Sequence, residues 1–357
     1  MREERTINGI QQIGIGVANA RAVFNWYRKH FGFDILVFED ESSAKLMTRY
    51  TKGNVRKRYA LLALNMIGGG GLEIWQFKDR VPQPPGTDIL LGDLGINVMK
   101  LRSKAIEKAH ASTAGQQLNL VTKIYTEVGK KSGFFLMDPW NNLVQIVEDN
   151  YCYCDSKSNT GGVLGVIIGV SDMKASLFFY TELLGYNETV SDTTAVFKDF
   201  KDLPGGENSF RRVLLKRSTK KVGGFGELLG PSEIELVQVL DRSPNKIYKD
   251  RIWGDLGYIH LCFDVHGMNA LRRDAKMLNH SFTVDSSDSF DMGDAAGHFS
   301  YVEDPDGTLI EFVETHKVPI SKKLGLYINL KNRDPHKPLS KWLVKAMQLH
   351  RVKKDLN

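Results

Sequence analysis

The chain has 357 residues, 42% of them hydrophobic and 25% charged, with a formal net charge of +6. That length allows two or more domains with full cores, and the composition is ordinary for a soluble globular protein. No apolar run approaches a membrane span, and the basic excess, much of it in the C-terminal tail, meets no nucleic-acid motif, so neither a membrane nor a nucleic-acid partner is expected.

The N-terminal stretch MREERTINGI lacks the apolar core of a secretory signal, and a cytoplasmic location is expected. QIGIGVANARAVFNWYRKHFGF (12–33) predicts a short apolar strand, an amphipathic helix and a glycine that ends it. The four glycines 68–71 either let backbone approach a ligand or form a loose hairpin loop, and GLEIWQF (71–77) follows as a strand. VPQPPG is a linker; GDLGINVMKL (92–101) then opens a second strand, followed by a helix in KAIEKAHASTA. FFLMDPWNNLVQIVED (134–149) is a hairpin around an Asp-Pro turn. YCYCDSKSNTGG is a polar linker. It carries Cys152 and Cys154, which with Cys262 make neither a disulfide framework nor zinc-finger spacing, so free thiols in a reducing compartment are expected.

The second half repeats the first. GVIIGVSDMKASLFFYTELLGY (165–186) matches residues 12–33 over its whole length, with Tyr180 opposite Tyr27, and Ser171 or Asp172 is the expected helix cap. SEIELVQV (232–239) is the strand that closes this copy, and DRSPNKIYKD links it to the next. GDLGYIHLCFDV (254–265) repeats the opening of 92–101, the helix MNALRRDAKMLN follows, and FSYVEDPDGTLIEFVE (299–314) repeats the Asp-Pro hairpin. The chain therefore reads as four units of strand, helix and further strands, at about 8–80, 88–150, 161–242 and 254–316. Residues 8–150 and 161–316 are taken as two domains of two units each, and 317–357 as a tail. Within the tail, Trp342, Leu343, Ala346, Met347 and Leu349 fall near one helical face, which is expected to pack back on the units, either as a structural clasp or as a roof over a cleft.

Two positions recur in the units. On the first strand, Gln12, Val98, Gly165 and His260 are equivalent; on the last, Glu73, Gln145, Glu235 and Glu311 are. A carboxylate or amide flanked by Ile, Leu, Phe and Val points to the face opposite its neighbours. Its recurrence in every unit suggests a sheet curved around a cavity, where a buried carboxylate is tolerable if it is paired or binds a cation. His260 with Glu311 points to metal ligation, whereas Val98 with Gln145 lacks an anionic donor and reads as scaffold.

IGIGV…FNWYRKHFGF, IIGVSDM…FFYTELLGY, GLEIW, IELV and DPDGTLIEF together resemble the vicinal oxygen chelate superfamily, which includes glyoxalase I, methylmalonyl-CoA epimerase, bleomycin-resistance proteins and extradiol dioxygenases. The resemblance covers residues 8–316. It implies an α+β fold of four βαβββ modules paired into two curved, cleft-forming mixed sheets, here with a C-terminal helical tail. It also implies a metal held by first- and last-strand residues of two paired units. If the first unit pairs with the fourth, one cleft holds Gln12, Glu73, His260 and Glu311, the set expected of glyoxalase I, and the other holds Val98, Gln145, Gly165 and Glu235. If neighbours pair, the ligands are Glu235, His260 and Glu311. The first arrangement is preferred because it uses four polar residues and strands only Glu235.

Such a donor set suits one divalent ion, among Zn, Ni, Co, Mn, Mg and Fe(II). The expected chemistry acts on a small substrate with vicinal oxygens: Lewis-acid polarisation of a carbonyl and proton transfer by Glu311 or Glu73, as in a glyoxalase-like or epimerase-like lyase or isomerase. Tyr301, across the hairpin from Glu311, is placed at the substrate as a further catalytic group, and His298 is a weaker candidate. The alternatives are an Fe(II) ring-cleaving dioxygenase, which needs two histidines where the first strands offer one, and a metal-free binding protein of the bleomycin-resistance kind. A monomer or homodimer is expected.

Overall fold

Each unit opens on an apolar strand in the computed structural model, which describes residues 4–126, 131–217, 223–287, 290–291, 296–321, 326–330 and 333–356. These strands are Thr6–Val17, Gly95–Ser103, Val163–Gly169 and Gly257–His266. A helix follows each: Ala20–Phe31, Ile106–Gly115, Met173–Phe178 and Met268–Met277. Asn19 caps the first helix by accepting from the Ala22 N–H, and Asp172 rather than Ser171 caps the third, accepting from Lys174 and Ala175. Gly32 and Gly185 terminate these two helical segments at φ 71° and 72°, a left-handed turn that a Cβ would strain.

The strands form two curved mixed sheets. In the first, Ala296–Glu303, Leu309–Ser321, Gly257–His266, Thr6–Val17, Gly71–Phe77, Lys57–Leu64 and Ile35–Ser43 lie side by side in that order, with Val284–Asp285 at the edge. The second runs Glu188–Ala195, Phe210–Lys216, Glu233–Val239, Val163–Gly169, Gly95–Ser103, Leu143–Glu148 and Ser132–Met137. Thus the first unit shares its sheet with the fourth, joined by an antiparallel pair that sets Gly14 opposite His260 and Gln12 opposite Cys262. The second unit shares its sheet with the third.

A different set of contacts ties the first unit to the second and the third to the fourth. The Tyr27 hydroxyl donates to Asp138 in the second unit's Asp-Pro turn, at 2.8 Å. Tyr180 does the same to Asp304 in the fourth unit, at 2.9 Å. Both tyrosines are buried, so each bond satisfies a hydroxyl that water cannot reach. The glycine run serves a related purpose. Gly70 and Val163 exchange backbone hydrogen bonds of 2.9 and 2.8 Å, and a Cβ on Gly69 would sit 2.6 Å from the Gly162 carbonyl carbon. These glycines let the two sheets meet backbone to backbone rather than admitting a ligand.

Alternation then sorts the side chains. Ile13, Ile15, Leu72, Ile74, Leu261, Phe263, Ile310 and Phe312 join one core with Phe24 and Tyr27 of the first helix and Val166 and Ile168 of the other sheet. Each large apolar side chain buried this way contributes about 1.5–3 kcal/mol, which fixes which face of each strand turns inward. The residues between them face the concave side: Gln12, Gly14, Glu73, His260, Cys262 and Glu311.

The tail packs back on this sheet, through some of the residues the helical spacing selects and through others it does not. Lys341–Lys345 is helical and tightens into a narrower turn at Ala346–His350. Leu339, Val344 and Met347 are buried against Ile35, Leu64, Met66 and Leu228, whereas Trp342 and Leu349 are 71% and 75% exposed. The change of pitch rotates Leu349 off the buried face. Arg351 anchors the end through an ion pair to Asp34 at 2.8 Å.

Candidate metal centre

The antiparallel pairing of the first and fourth units sets their two last strands on either side of the central pair. Glu73 lies in register with Gly14, and Glu311 with Cys262. Strand geometry alone therefore brings two carboxylates toward the imidazole of His260. Its Nε2 lies 3.2 Å from Glu73 Oε2 and 3.1 Å from Glu311 Oε2. The Gln12 side-chain amide lies 3.4 Å from the same Glu73 oxygen. His260, Glu311 and Gln12 are buried, and one donor atom from each of Glu73, His260 and Glu311 falls within 4.8 Å of the others.

Three polar atoms of this cluster, Gln12 Oε1, His260 Nε2 and Glu311 Oε2, are buried and make no hydrogen bond. A buried polar atom left without a partner costs about 1–3 kcal/mol, and buried ionised groups cost more. Glu73, His260 and Glu311 crowd their donor atoms into one place, an arrangement that a divalent cation would satisfy. The donors are an imidazole nitrogen, two carboxylates and an amide, and rotating the Gln12 amide by half a turn brings its oxygen toward Glu73. The residues fit one divalent ion. Without it the imidazole holds a proton: burial pushes its pKa down, but Glu311 and Glu73 outweigh burial and raise it to about 10.

Tyr301 lies beside the cluster. Its hydroxyl lies 3.5 Å from His260 Nδ1, its ring meets the imidazole edge-on, and burial together with Glu311 and Glu73 holds the phenol well above its usual pKa. His298 does not join: its Nε2 is 2.6 Å from Asp285, which also pairs with Arg272. Glu235 lies in the other sheet. Lys100, 2.7 Å away, and the Arg212 guanidinium neutralise it, and both cations are buried. The same Lys100 ammonium is 2.6 Å from Glu233. Lys100 lies in register with Gln145 as Cys262 does with Glu311, so the second cleft carries its own cation on a side chain.

Two residues of the site escaped the sequence reading. Cys262 is fully buried beside Glu311, and burial with the two carboxylates pushes its thiol well above the usual pKa. Gly14 is the floor under the imidazole: a Cβ there would sit 2.4 Å from His260 Cε1 and 2.7 Å from both ring nitrogens. The signal for Gly14 was its pairing two residues from Gln12 on the concave face. Gly14→Ala is expected to tilt the imidazole and weaken divalent-ion binding by about 10–100-fold, as loss of an orienting contact does elsewhere, with the circular dichroism spectrum unchanged. Metal titration of the purified variant checks this, and wild-type affinity would show that the ring has room to spare.

On one side of the cluster the concave face opens into an apolar cleft. Val37, Phe38, Leu62 and Leu64 form one wall, Val313 lies opposite, and Leu228 and Met347 cover it. Thus the third unit and the tail both roof the cleft of the first and fourth. Among the described residues, no helix is long and apolar enough to cross a membrane.

No protein-family model matches the sequence, and no curated protein matches it. Solved structures do match the fold. Glyoxalase I from Zea mays superposes with a TM-score of 0.52 at 12% identity, covering 87% of this chain and 92% of that one. A variant of the same maize protein gives 0.54 at 12% identity, with 87% and 92% covered. A candidate dioxygenase from Bacillus subtilis gives 0.57 at 12% identity, covering 87% and 86%.

Proposed function

We propose that this chain, whose fold is that of the vicinal oxygen chelate proteins, is a divalent-metal-dependent enzyme acting on a small substrate with vicinal oxygens, as a lyase or isomerase of the glyoxalase or epimerase kind. One observation carries the reading: donor atoms of Glu73, His260 and Glu311 lie within 4.8 Å of one another, beside the Gln12 amide, at the end of an apolar cleft. Gln12, Glu73, His260 and Glu311 would hold the ion, which supplies Lewis-acid polarisation of a carbonyl when bound.

The protein's own groups do the rest. The Glu311 and Glu73 carboxylates approach from opposite sides of the central strand pair, so either can take a proton from the carbon beside a carbonyl and return it to the neighbouring position. Tyr301 keeps its proton and can donate a hydrogen bond to a substrate oxygen. Phe38, Leu62, Leu64 and Met347 exclude water and take up an apolar substituent. Among the described lining residues there is no lysine or arginine, which favours a substrate uncharged at that end.

The test is exchange of the carbon-bound hydrogen of 2-hydroxyketones and hemithioacetals with solvent deuterium, by metal-loaded protein. Metal-dependent exchange that Glu311→Gln abolishes is the expected result. Oxygen uptake with catechols in place of exchange would assign ring cleavage instead. Tight ligand binding without metal or turnover would make the chain a binding protein.

A further inference from the structure

A second cavity, of about 370 Å³, lies outside the cleft, where the first, second and fourth units meet the linker 241–251. Its character is opposite to that of the cleft. Arg49, Lys52, Lys246, Lys249 and Arg251 stand around it, against two acids, Glu303 and Asp306. Both acids are committed: Glu303 accepts from the Tyr50 hydroxyl at 2.6 Å, and Asp306 accepts from the Ser171 N–H at 2.8 Å and from its hydroxyl. Lys52 is turned to the Asp250 carbonyl at 2.9 Å. Lys246 and Lys249 have no ion pair among the described residues. Arg49 pairs with Glu303 at 3.6 Å, so Lys246 and Lys249 carry the positive charge that faces the cavity without an acid partner.

Two polar side chains in the wall add an independent observation. Trp253 and Thr308 are 7% and 8% exposed, and Trp253 Nε1 and Thr308 Oγ1 are buried without any hydrogen-bond partner. An indole N–H can only donate, and a threonine hydroxyl can donate. Native structures leave few such groups unpaired. Two spare donors within a ring of cations call for an acceptor-rich anion. The ring faces of Tyr50, Tyr248 and Tyr258 complete the wall, and their hydroxyls are already used: Tyr248 donates to the Asp255 carbonyl at 3.1 Å and Tyr258 to that of Leu143 at 2.8 Å. Arg251 lies over one face of the Tyr248 ring, 4.2 Å from its centroid, and Arg49 lies over that of Tyr50 at 5.8 Å.

We propose that this cavity binds a small phosphoryl-bearing molecule, with the phosphoryl oxygens between Lys246, Lys249, Thr308 and Trp253. The site is separate from the metal centre, and its occupancy is read without metal. The experiment is calorimetric titration of the full-length, metal-depleted chain with inorganic phosphate and, separately, with adenosine monophosphate. One molecule bound per chain is expected. Tighter binding of the nucleotide marks a ligand whose ring lies on the tyrosines, and equal affinities mark free phosphate as the ligand. The double variant K246E/K249E should weaken binding by about tenfold or more, the cost of losing charge-assisted contacts. Thr308→Val, which keeps size and removes the hydroxyl, should weaken it too while leaving the unfolding midpoint in place. Absence of binding at millimolar ligand, or affinity unmoved by both variants, overturns the proposal.

Discussion

His260→Val removes divalent-ion binding and leaves a folded protein. The chain contains its own precedent, because Val98 occupies the equivalent register in the second unit, on a strand just as buried. Apart from the two carboxylates that would share the ion with it, at 3.1 and 3.2 Å, the imidazole has one contact to lose, from Nδ1 to Tyr301 at 3.5 Å. Removing the ring leaves Glu73 and Glu311 without the nitrogen donor that lies between them. The expected loss of metal affinity exceeds about 100-fold, since losing only an outer contact to a ligand costs 10–100-fold. A histidine that merely fills the core behaves differently. Valine would then cost about 1–3 kcal/mol through unpaired partners and leave metal content unchanged. Bound metal and unfolding midpoint, measured on one sample, separate the two.

Lys100→Ala should be among the most destabilising single changes in the protein. The ammonium is fully buried between Glu233 and Glu235, at 2.6 and 2.7 Å. Burial pushes both carboxylates up, but their cations prevail and hold Glu235 below its usual range and Glu233 at about 2. Breaking a buried ion pair by removing one partner costs about 3–5 kcal/mol. The lower end is expected here, because Arg212 still holds Glu235 and Lys131 still holds Glu233, at 2.9 Å. Urea unfolding near neutral pH reads the loss. The depressed pKa of Glu233 sets the sign of the pH dependence. Its contribution is full above the unfolded value of 4.5 and is lost as pH falls through about 2, so the gap between wild type and variant should shrink on acidification. A gap unchanged by pH would show that the lysine acts through packing alone.

These two residues also mark what the amino-acid sequence made legible. Repeats are visible because each unit must bury the same face of the same elements, so Tyr27 and Tyr180, or the two Asp-Pro hairpins, announce equivalent positions without any structure. Counting from them placed Gln12, Glu73, His260 and Glu311 at matching points, and alternation put them on one face. Which units share a sheet was less visible. The pairing of Gly14 with His260 is a contact across nearly the whole chain, and only the economy of using four polar residues favoured it. Lys100 was overlooked although INVMKL sets a lysine in an apolar strand, because attention rested on the Val98 position two residues earlier. Gly14 and the glycines at 68–70 show a further limit. A glycine signals close approach but does not say what approaches: an imidazole in one case, the other sheet in the next. The tail's contact face was only partly legible, with Met347 buried but Trp342 and Leu349 exposed. A constant period of 3.6 residues was assumed across a segment that changes pitch at Ala346.

One cleft is proposed to hold a metal ion, and the other carries the Lys100 ammonium at the corresponding place. Calorimetric titration of metal-depleted protein with zinc, nickel or manganese tests it most directly. The account predicts one ion bound per chain, with the Lys100 cleft taking none. Two ions per chain, or no binding of any of the three metals, would contradict it.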